Sequence, residues 1–453
     1  MFLVSKGIHQ ASRFRRRMLL LLAVIGPGII TMIADNDAGG ISTYSQTGAK
    51  TGFSLLWIFL ILVPMAYYVQ EMTVRLGAVT KRGHAEAIFD AFGPFWGWFS
   101  LFDLAIVNWL TIVTEYIGMT QAMAIFNIPA WITCLGVTAL LFTIVLSGKY
   151  WTFEKITFFF CLFNLVYIPA AIWAMQTGNV KDGWAAVGRG FWSPQLTGTL
   201  PAAAMITLIM ANIGTTITPW QIFFQQSAVV DKGMDVRDIK LGKIDTFAGS
   251  MLTCIVAAFI VIATAGVFYY NPHGQIVVES AQQTALKMPE VMPQGTHWGQ
   301  WAKTLFAIGL FDAGLLGALC ISLSTTWALG EVFGWAHSLN KSVREAPWFY
   351  VAYVFMLLSA AFVSLVASID AQNAITIFVQ VVAVTLLPPA LIFLILILND
   401  KAIMGEHRNT LWQNIANWTI AIFVVLVSTL YGVTQIFPDI LSSDSWLGQR
   451  LGL

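Results

Sequence analysis

Charge is what this 453-residue chain has least of. Lys, Arg, Asp and Glu make up 10% of it, against about 25% in ordinary soluble domains. No polar stretch is long enough to form a separate soluble domain. No Lys/Arg-rich region is available to bind nucleic acid, and a net charge of +1 points to no polyanionic partner. Cysteine is scarce as well. Cys134, Cys161, Cys254 and Cys320 fall inside apolar segments without CxxC spacing, which excludes a disulfide framework and leaves them as small buried hydrophobes. No nucleophile–base pair or metal-ligand cluster stands out, so the chain is not expected to be an enzyme. A membrane sensor, the alternative from another class, would normally carry a soluble output domain. Arg13, Arg15, Arg16 and Arg17 precede a long hydrophobic segment without a small-residue cleavage site, so that segment is expected to remain as a helix.

What the chain has instead is apolar length. Hydrophobic residues make up 57% and the mean hydropathy is +0.73, the composition of an all-α, multi-pass integral membrane protein. Eleven stretches are long enough to cross the hydrocarbon core: about 18–47, 53–75, 95–126, 131–147, 156–176, 200–227, 247–270, 302–335, 348–367, 372–398 and 411–437. With the N-terminus in the cytoplasm, 18 of the 24 basic residues fall on the inside. Only Lys50, Lys181, Arg189, Lys287, Lys303 and Arg450 then face outward, as the positive-inside rule requires for an N-in, C-out chain. Residues 1–453 read as a single transmembrane transport domain embedded in a lipid bilayer, in a prokaryotic-type cell membrane.

Two of these stretches are interrupted. The first runs without a gap into Asp35-Asn36-Asp37-Ala38-Gly39-Gly40. Carboxylates at that depth are costly and usually mark an ion site, and adjacent glycines disfavour a continuous helix. Unwinding is therefore expected where the carboxylates sit. The sixth stretch passes through Asn212-Ile213-Gly214-Thr215-Thr216-Ile217-Thr218-Pro219-Trp220-Gln221, where Pro219 removes a backbone donor and the threonines offer competing hydrogen bonds. Breaks in spans one and six fit two five-helix halves, about 18–176 and 200–398, followed by an eleventh helix at about 411–437. Paired breaks of this kind point to a midplane binding site in inverted-repeat transporters.

The residues carry a resemblance along most of the chain. Gly26-Pro27-Gly28 followed by Asp37-Ala38-Gly39 resembles the first helix of the NRAMP divalent-metal transporters, whose pattern is Gly-Pro-Gly and then Asp-Pro-Gly-Asn. Gln70-Glu71-Met72 with Arg75 to Thr80, Glu115-Tyr116-Ile117-Gly118, Gln380-Val381-Val382 with Leu387-Pro388, and Asn399 to Glu406 match further. The resemblance implies the leucine-transporter fold, a 5+5 inverted repeat plus an eleventh helix, with helices 1 and 6 unwound at the midplane around the metal.

The departures from that pattern bear on the cargo. Asp37-Ala38-Gly39-Gly40 lacks the family's asparagine, Thr218-Pro219-Trp220 stands where the family has Met-Pro-His, and Ile112 takes the place of a third-helix aspartate. This chain is most like the NRAMP-related magnesium transporter branch. The ligand chemistry agrees: thioether and imidazole favour transition metals, whereas carboxylate, carbonyl, hydroxyl and water suit magnesium, calcium or manganese. Mg²⁺ retains water and takes one or two carboxylates. The expected metal residues are Asp37, Gly40, Thr215 and Thr218, with Asp35, Trp220, Gln380 and Glu115 lining the cavity or holding metal-bound water. For Asp35 a helix-break cap is an even alternative, and for Gln380 a helix–helix hydrogen bond is the slightly stronger one. Glu71 and Asp103 read as structural or snorkelling acids near helix ends, and Asp312 as a further intramembrane acid.

The expected function is uptake of hydrated Mg²⁺, with Mn²⁺ also considered, without strong proton coupling. A membrane potential of 100 mV would supply on the order of 4.6 kcal/mol for two charges. A proton-coupled Mn²⁺ or Fe²⁺ carrier is the alternative. No cofactor and no obligate protein partner are expected.

Overall fold

The computed structural model describes residues 26–436 apart from Ser147, 194–199 and 292–296. Every regular element among the described residues is helical. The first half contains α1 (Pro27–Ile33), α2 (Ala38–Thr51), α3 (Trp57–Thr80), α4 (His84–Phe92), α5 (Pro94–Ala124), α6 (Ala130–Val145), α7 (Tyr150–Cys161), α8 (Tyr167–Met175) and α9 (Trp184–Trp192). The second contains α10 (Ala202–Thr216), α11 (Pro219–Lys232), α12 (Ile239–Thr264), α13 (Ala281–Val291), α14 (Trp298–Phe333), α15 (Pro347–Val366), α16 (Ile369–Thr385), α17 (Leu387–Asn399) and α18 (Leu411–Ile436).

Nine helical stretches among the described residues are long and apolar enough to cross a membrane, and α6 is a shorter apolar helix. With the two pieces α1 and α2, each of the eleven expected stretches has a counterpart; residues 18–25 and everything after 436 lie outside the described residues. Large apolar side chains such as Phe355 and Phe362 on α15 and Leu426 on α18 are exposed, as a lipid-facing belt requires.

The first break falls where the carboxylates sit, as expected, and the sixth-span break is narrower than the run that suggested it. Ala34 to Asp37 separate α1 from α2, and Asp37 is the N-cap of α2, its side chain accepting the Gly40 N–H at 2.6 Å. Aspartate is favoured there because the cap satisfies an otherwise open amide. Gly39 and Gly40 are therefore helical, and the unwound turn precedes them. In the sixth span only Ile217 and Thr218 are extended. Asn212 to Thr216 complete α10, and Pro219 opens α11, where its missing N–H costs nothing. A third break, at Leu386, was not expected: Pro388 and Pro389 start α17 and cannot donate to the preceding turn.

Small residues let these pieces approach. A side-chain carbon added to Gly118 on α5 would collide with the Ala38 methyl, and one on Gly317 of α14 would come within 2.8 Å of Glu115 Oε2 and 3.1 Å of Asp37 Cβ. Close approach through small residues is how helices associate in lipid. Here it presses α5 and α14 against the Asp37 break.

Candidate metal-ion site

Helix α2 packs on α5, α10, α14 and α16, and the breaks of the first and sixth spans meet beside Gln380 of α16. Asp37, Gly40, Thr215, Thr218, Asp35, Trp220, Gln380 and Glu115 are all buried. The site is closed to both faces.

Asp37 uses one carboxylate oxygen as the α2 cap, while Oδ2 has no hydrogen-bond partner among the described residues. Both Asp35 oxygens are likewise unpartnered. Asp35 lies beside Asp37 and Gln221, so it faces the candidate site and caps no helix. A side chain at Gly40 would point into the space bounded by the Asp35 carbonyl at 3.2 Å and Asp37 Oδ1 at 3.3 Å. With the Tyr44 ring at 3.4 Å as well, Gly40 lets the backbone approach closely to these two oxygens.

The two threonines part company. Thr218 forms a capping box with Gln221 at the start of α11: its buried side chain faces the Gln221 N–H, and its own backbone N–H donates to Gln221 Oε1 at 3.0 Å. The Thr215 hydroxyl instead donates to Tyr44 Oη at 2.7 Å, within 3.1 Å of the Asn212 carbonyl. Tyr44 also sits 3.3 Å from Thr216 Oγ1, and Asn212 donates to Thr47 at 2.8 Å. Thr215 is therefore part of a polar seam joining α2 to α10, and its side chain is occupied.

Gln380 presses its amide onto Gly39, and both its amide nitrogen and its oxygen are unpartnered. Its own α16 carbonyl abuts Gly214 on α10. A buried amide lacking every partner costs free energy, which fits a group awaiting cargo or its water better than a helix–helix strut. Glu115 accepts the Ala38 N–H at 3.0 Å and lies alongside Asp37. Trp220 closes one wall: its ring meets Phe224 edge-on at 6.0 Å, and its carbonyl accepts from Ser324 at 2.9 Å.

Tyr44, Gln221 and Asn36 were not expected at the site. Asn36 donates to the Thr253 carbonyl at 3.3 Å and ties the unwound turn to α12. Its position between two aspartates was the only sequence signal; Tyr44 and Gln221 gave none. Glu71 proves structural, pairing with Arg75 at 3.0 Å and Lys243 at 2.6 Å. Asp103 is half-buried on α5, away from the breaks. Among the described residues no group of three or more His, Cys, Asp or Glu is arranged to enclose a metal ion. The break offers carboxylate, hydroxyl, amide and carbonyl oxygens, with the remaining positions of any cation left to water.

Comparison with known proteins gives a consistent picture. The family model described as natural resistance-associated macrophage protein-like, Nramp, matches residues 28–434. The divalent metal cation transporter MntH of Listeria monocytogenes serotype 4a is 25% identical over 435 residues, covering 94% of this chain and 92% of its own. Metal transporter Nramp3 of Oryza sativa subsp. japonica is 25% identical, with 92% of this chain and 74% of that protein covered. The crystal structure of the Eremococcus coleocola manganese transporter, in complex with an aromatic bis-isothiourea substituted compound, superposes with a TM-score of 0.75 at 20% identity, covering 98% of this chain and 92% of its own. MhsT in complex with L-phenylalanine superposes with a TM-score of 0.58 at 14% identity, covering 90% and 98%.

Proposed function

The chain belongs to the Nramp family and is a divalent-metal transporter, and from that premise we propose that its cargo is a hard, partly hydrated cation, Mg²⁺ first and Mn²⁺ second. The observation that carries this reading is the donor set: the unpartnered atoms of Asp35, Asp37 and Gln380 are hard oxygens and an amide group, Thr218 adds a hydroxyl, and neither the first-span nor the sixth-span break contains Met or His. Carboxylate and neutral oxygen donors suit Mg²⁺ and Mn²⁺, and Mg²⁺ in particular is held by one or two carboxylates with water completing its shell. Asp37 anchors the ion, Asp35 and Gln380 hold its waters, Thr218 offers a hydroxyl from the facing break, and Thr215 positions Tyr44. Two adjacent carboxylates balance the charge of one divalent cation in a low-dielectric setting.

Coupling to protons is weak in this reading. The buried carboxylate of Glu115 beside Asp37 is the feature that favours the second reading, a proton-coupled Mn²⁺ or Fe²⁺ carrier. Of the helices packed on α5, α15 carries no acidic, basic or histidine residue along Pro347–Val366, while α14 carries Asp312 and Glu331; weak coupling rests on the α15 face lacking a charged relay. Uptake into the cytoplasm is then driven by the membrane potential, with the N-terminus inside.

The test is flux into liposomes with Mg²⁺, Mn²⁺ and Ca²⁺ in parallel, with lumenal pH recorded, for the wild type and Asp37→Ala. Mg²⁺ entry without acidification, abolished in the variant, is expected. Unchanged transport in Asp37→Ala overturns the site, and stoichiometric acidification with no Mg²⁺ entry selects the proton-coupled reading.

A further inference from the structure

A second polar cluster lies between α14 and the junction of α7 with α8, and it shares no residue with the candidate metal-ion site. Asp312 on α14 is 4% exposed, Asn164 1% and Tyr167 0%. Asn164 sits in the 3-10 turn Leu162–Val166 that joins α7 to α8, and Tyr167 is the first residue of α8. The Asn164 amide reaches Asp312 Oδ2 at 3.5 Å, the outer limit of a hydrogen bond. Three oxygens then remain without partners among the described residues: Asp312 Oδ1, Asn164 Oδ1 and Tyr167 Oη. Tyr167 Oη is 2.7 Å from where a side-chain carbon on Gly309 would stand, one turn before Asp312, and within electrostatic reach of that carboxylate.

The cluster is separate from the helix breaks. Asp312 precedes Gly317, which packs on Asp37, by five residues of helix, about 7.5 Å along the axis and about 140° around it. A buried carboxylate, amide and phenol are each costly to leave unpaired, and no cationic side chain is paired with Asp312 among the described residues. All the free donors are oxygens, which excludes a preference for soft metals. One carboxylate neutralises one positive charge, so a divalent ion here would leave an unbalanced buried charge.

We propose that Asp312, Asn164 and Tyr167 form a second cation site, for one monovalent cation, Na⁺. An ion there ties the α7–α8 arm to α14, and the 3-10 turn is the element whose position it sets.

The test uses the full chain purified in detergent and the midpoint of thermal unfolding, with NaCl replaced by KCl or choline chloride at constant ionic strength. A saturable, Na⁺-specific rise of about 2 °C is expected, preserved in Asp37→Ala and abolished in Asp312→Asn. Tyr167→Phe, which deletes one hydroxyl, should need about tenfold more Na⁺ for the same rise. The absence of a Na⁺-specific rise overturns the proposal, as does a rise that survives Asp312→Asn. A midpoint that responds to pH alone assigns a proton to Asp312 and overturns it as well. Loss of metal flux in Asp37→Ala with the Na⁺ response intact keeps this site distinguishable from the metal site.

Discussion

Asp245 Oδ2 accepts the backbone N–H of Gly28 at 2.7 Å across 217 residues of sequence. The same carboxylate takes the N–H groups of Gly26 at 3.2 Å and Ile29 at 3.3 Å. Pro27 has none to give, so one side chain of α12 satisfies every open amide at the start of α1. Beside it the buried pair Lys232–Glu154, at 2.5 Å, packs against Gly26. Together these contacts clamp α1 shut.

Asp245→Ala strands those amides and should cost about 3 kcal/mol, enough to release α1 from α12. Thr31, fully buried on α1, reports the change. In a Thr31→Cys background, maleimide labelling should accelerate at least about tenfold when Asp245 is removed. Equal labelling rates would mean that Asp245 does not hold the helix closed.

The two threonines of the sixth span should separate in kinetics. Thr215 spends its hydroxyl on Tyr44, so Thr215→Val should change the KM for Mg²⁺ by no more than about twofold. Thr218 holds its hydroxyl at the break as the cap of α11, and Thr218→Val should raise KM about fivefold to tenfold through loss of one neutral donor. Flux measured across Mg²⁺ concentration decides, and the reverse order would make Thr215 the ligand.

Cargo preference should also respond to donor softness at the same position. Thr218→Met brings a thioether to the break. Cd²⁺ should then inhibit Mg²⁺ flux at about tenfold lower concentration than in the wild type. An unchanged Cd²⁺ response would place residue 218 away from the ion.

The sequence made the fold legible because lipid imposes long apolar helices and penalises buried acids, so the interrupted first and sixth spans stood out. Their boundaries were less legible. Gly39 and Gly40 looked like helix breakers, yet Asp37 caps the turn that contains them; the Asp before Ala-Gly-Gly was a readable N-cap signal. The break at Leu386 was missed although Pro388-Pro389 carry a readable signal for it. Thr215 could not be judged from sequence, because its partner Tyr44 lies 171 residues away and a polar residue shows neither its partner nor its lack of one. The same limit hid Asp245, Gln221 and the cluster around Asp312, all defined by contacts between distant helices.

His84 shows the limit from the other side, since it lies outside the membrane-spanning helices and yet is fully buried at the start of α4. Its ring stands edge-on to Phe223 at 4.7 Å, with Nδ1 3.1 Å from Gln226 Oε1 and Nε2 3.3 Å from the Ala390 carbonyl. Burial lowers its pKa from 6.5 to about 4, against the opposing pull of those two hydrogen bonds. The folded protein therefore keeps the ring neutral while the unfolded chain takes up a proton below pH 6.5. Between pH 6.5 and about 4 the unfolded state binds more protons, so stability falls as pH falls, and the loss ends once the folded ring also titrates. The shift corresponds to about 3 kcal/mol. The difference in unfolding free energy between wild type and His84→Gln, followed from pH 7 to pH 4, should move against the wild type by about that amount. A difference that stays flat across this window would show that burial does not hold the ring neutral.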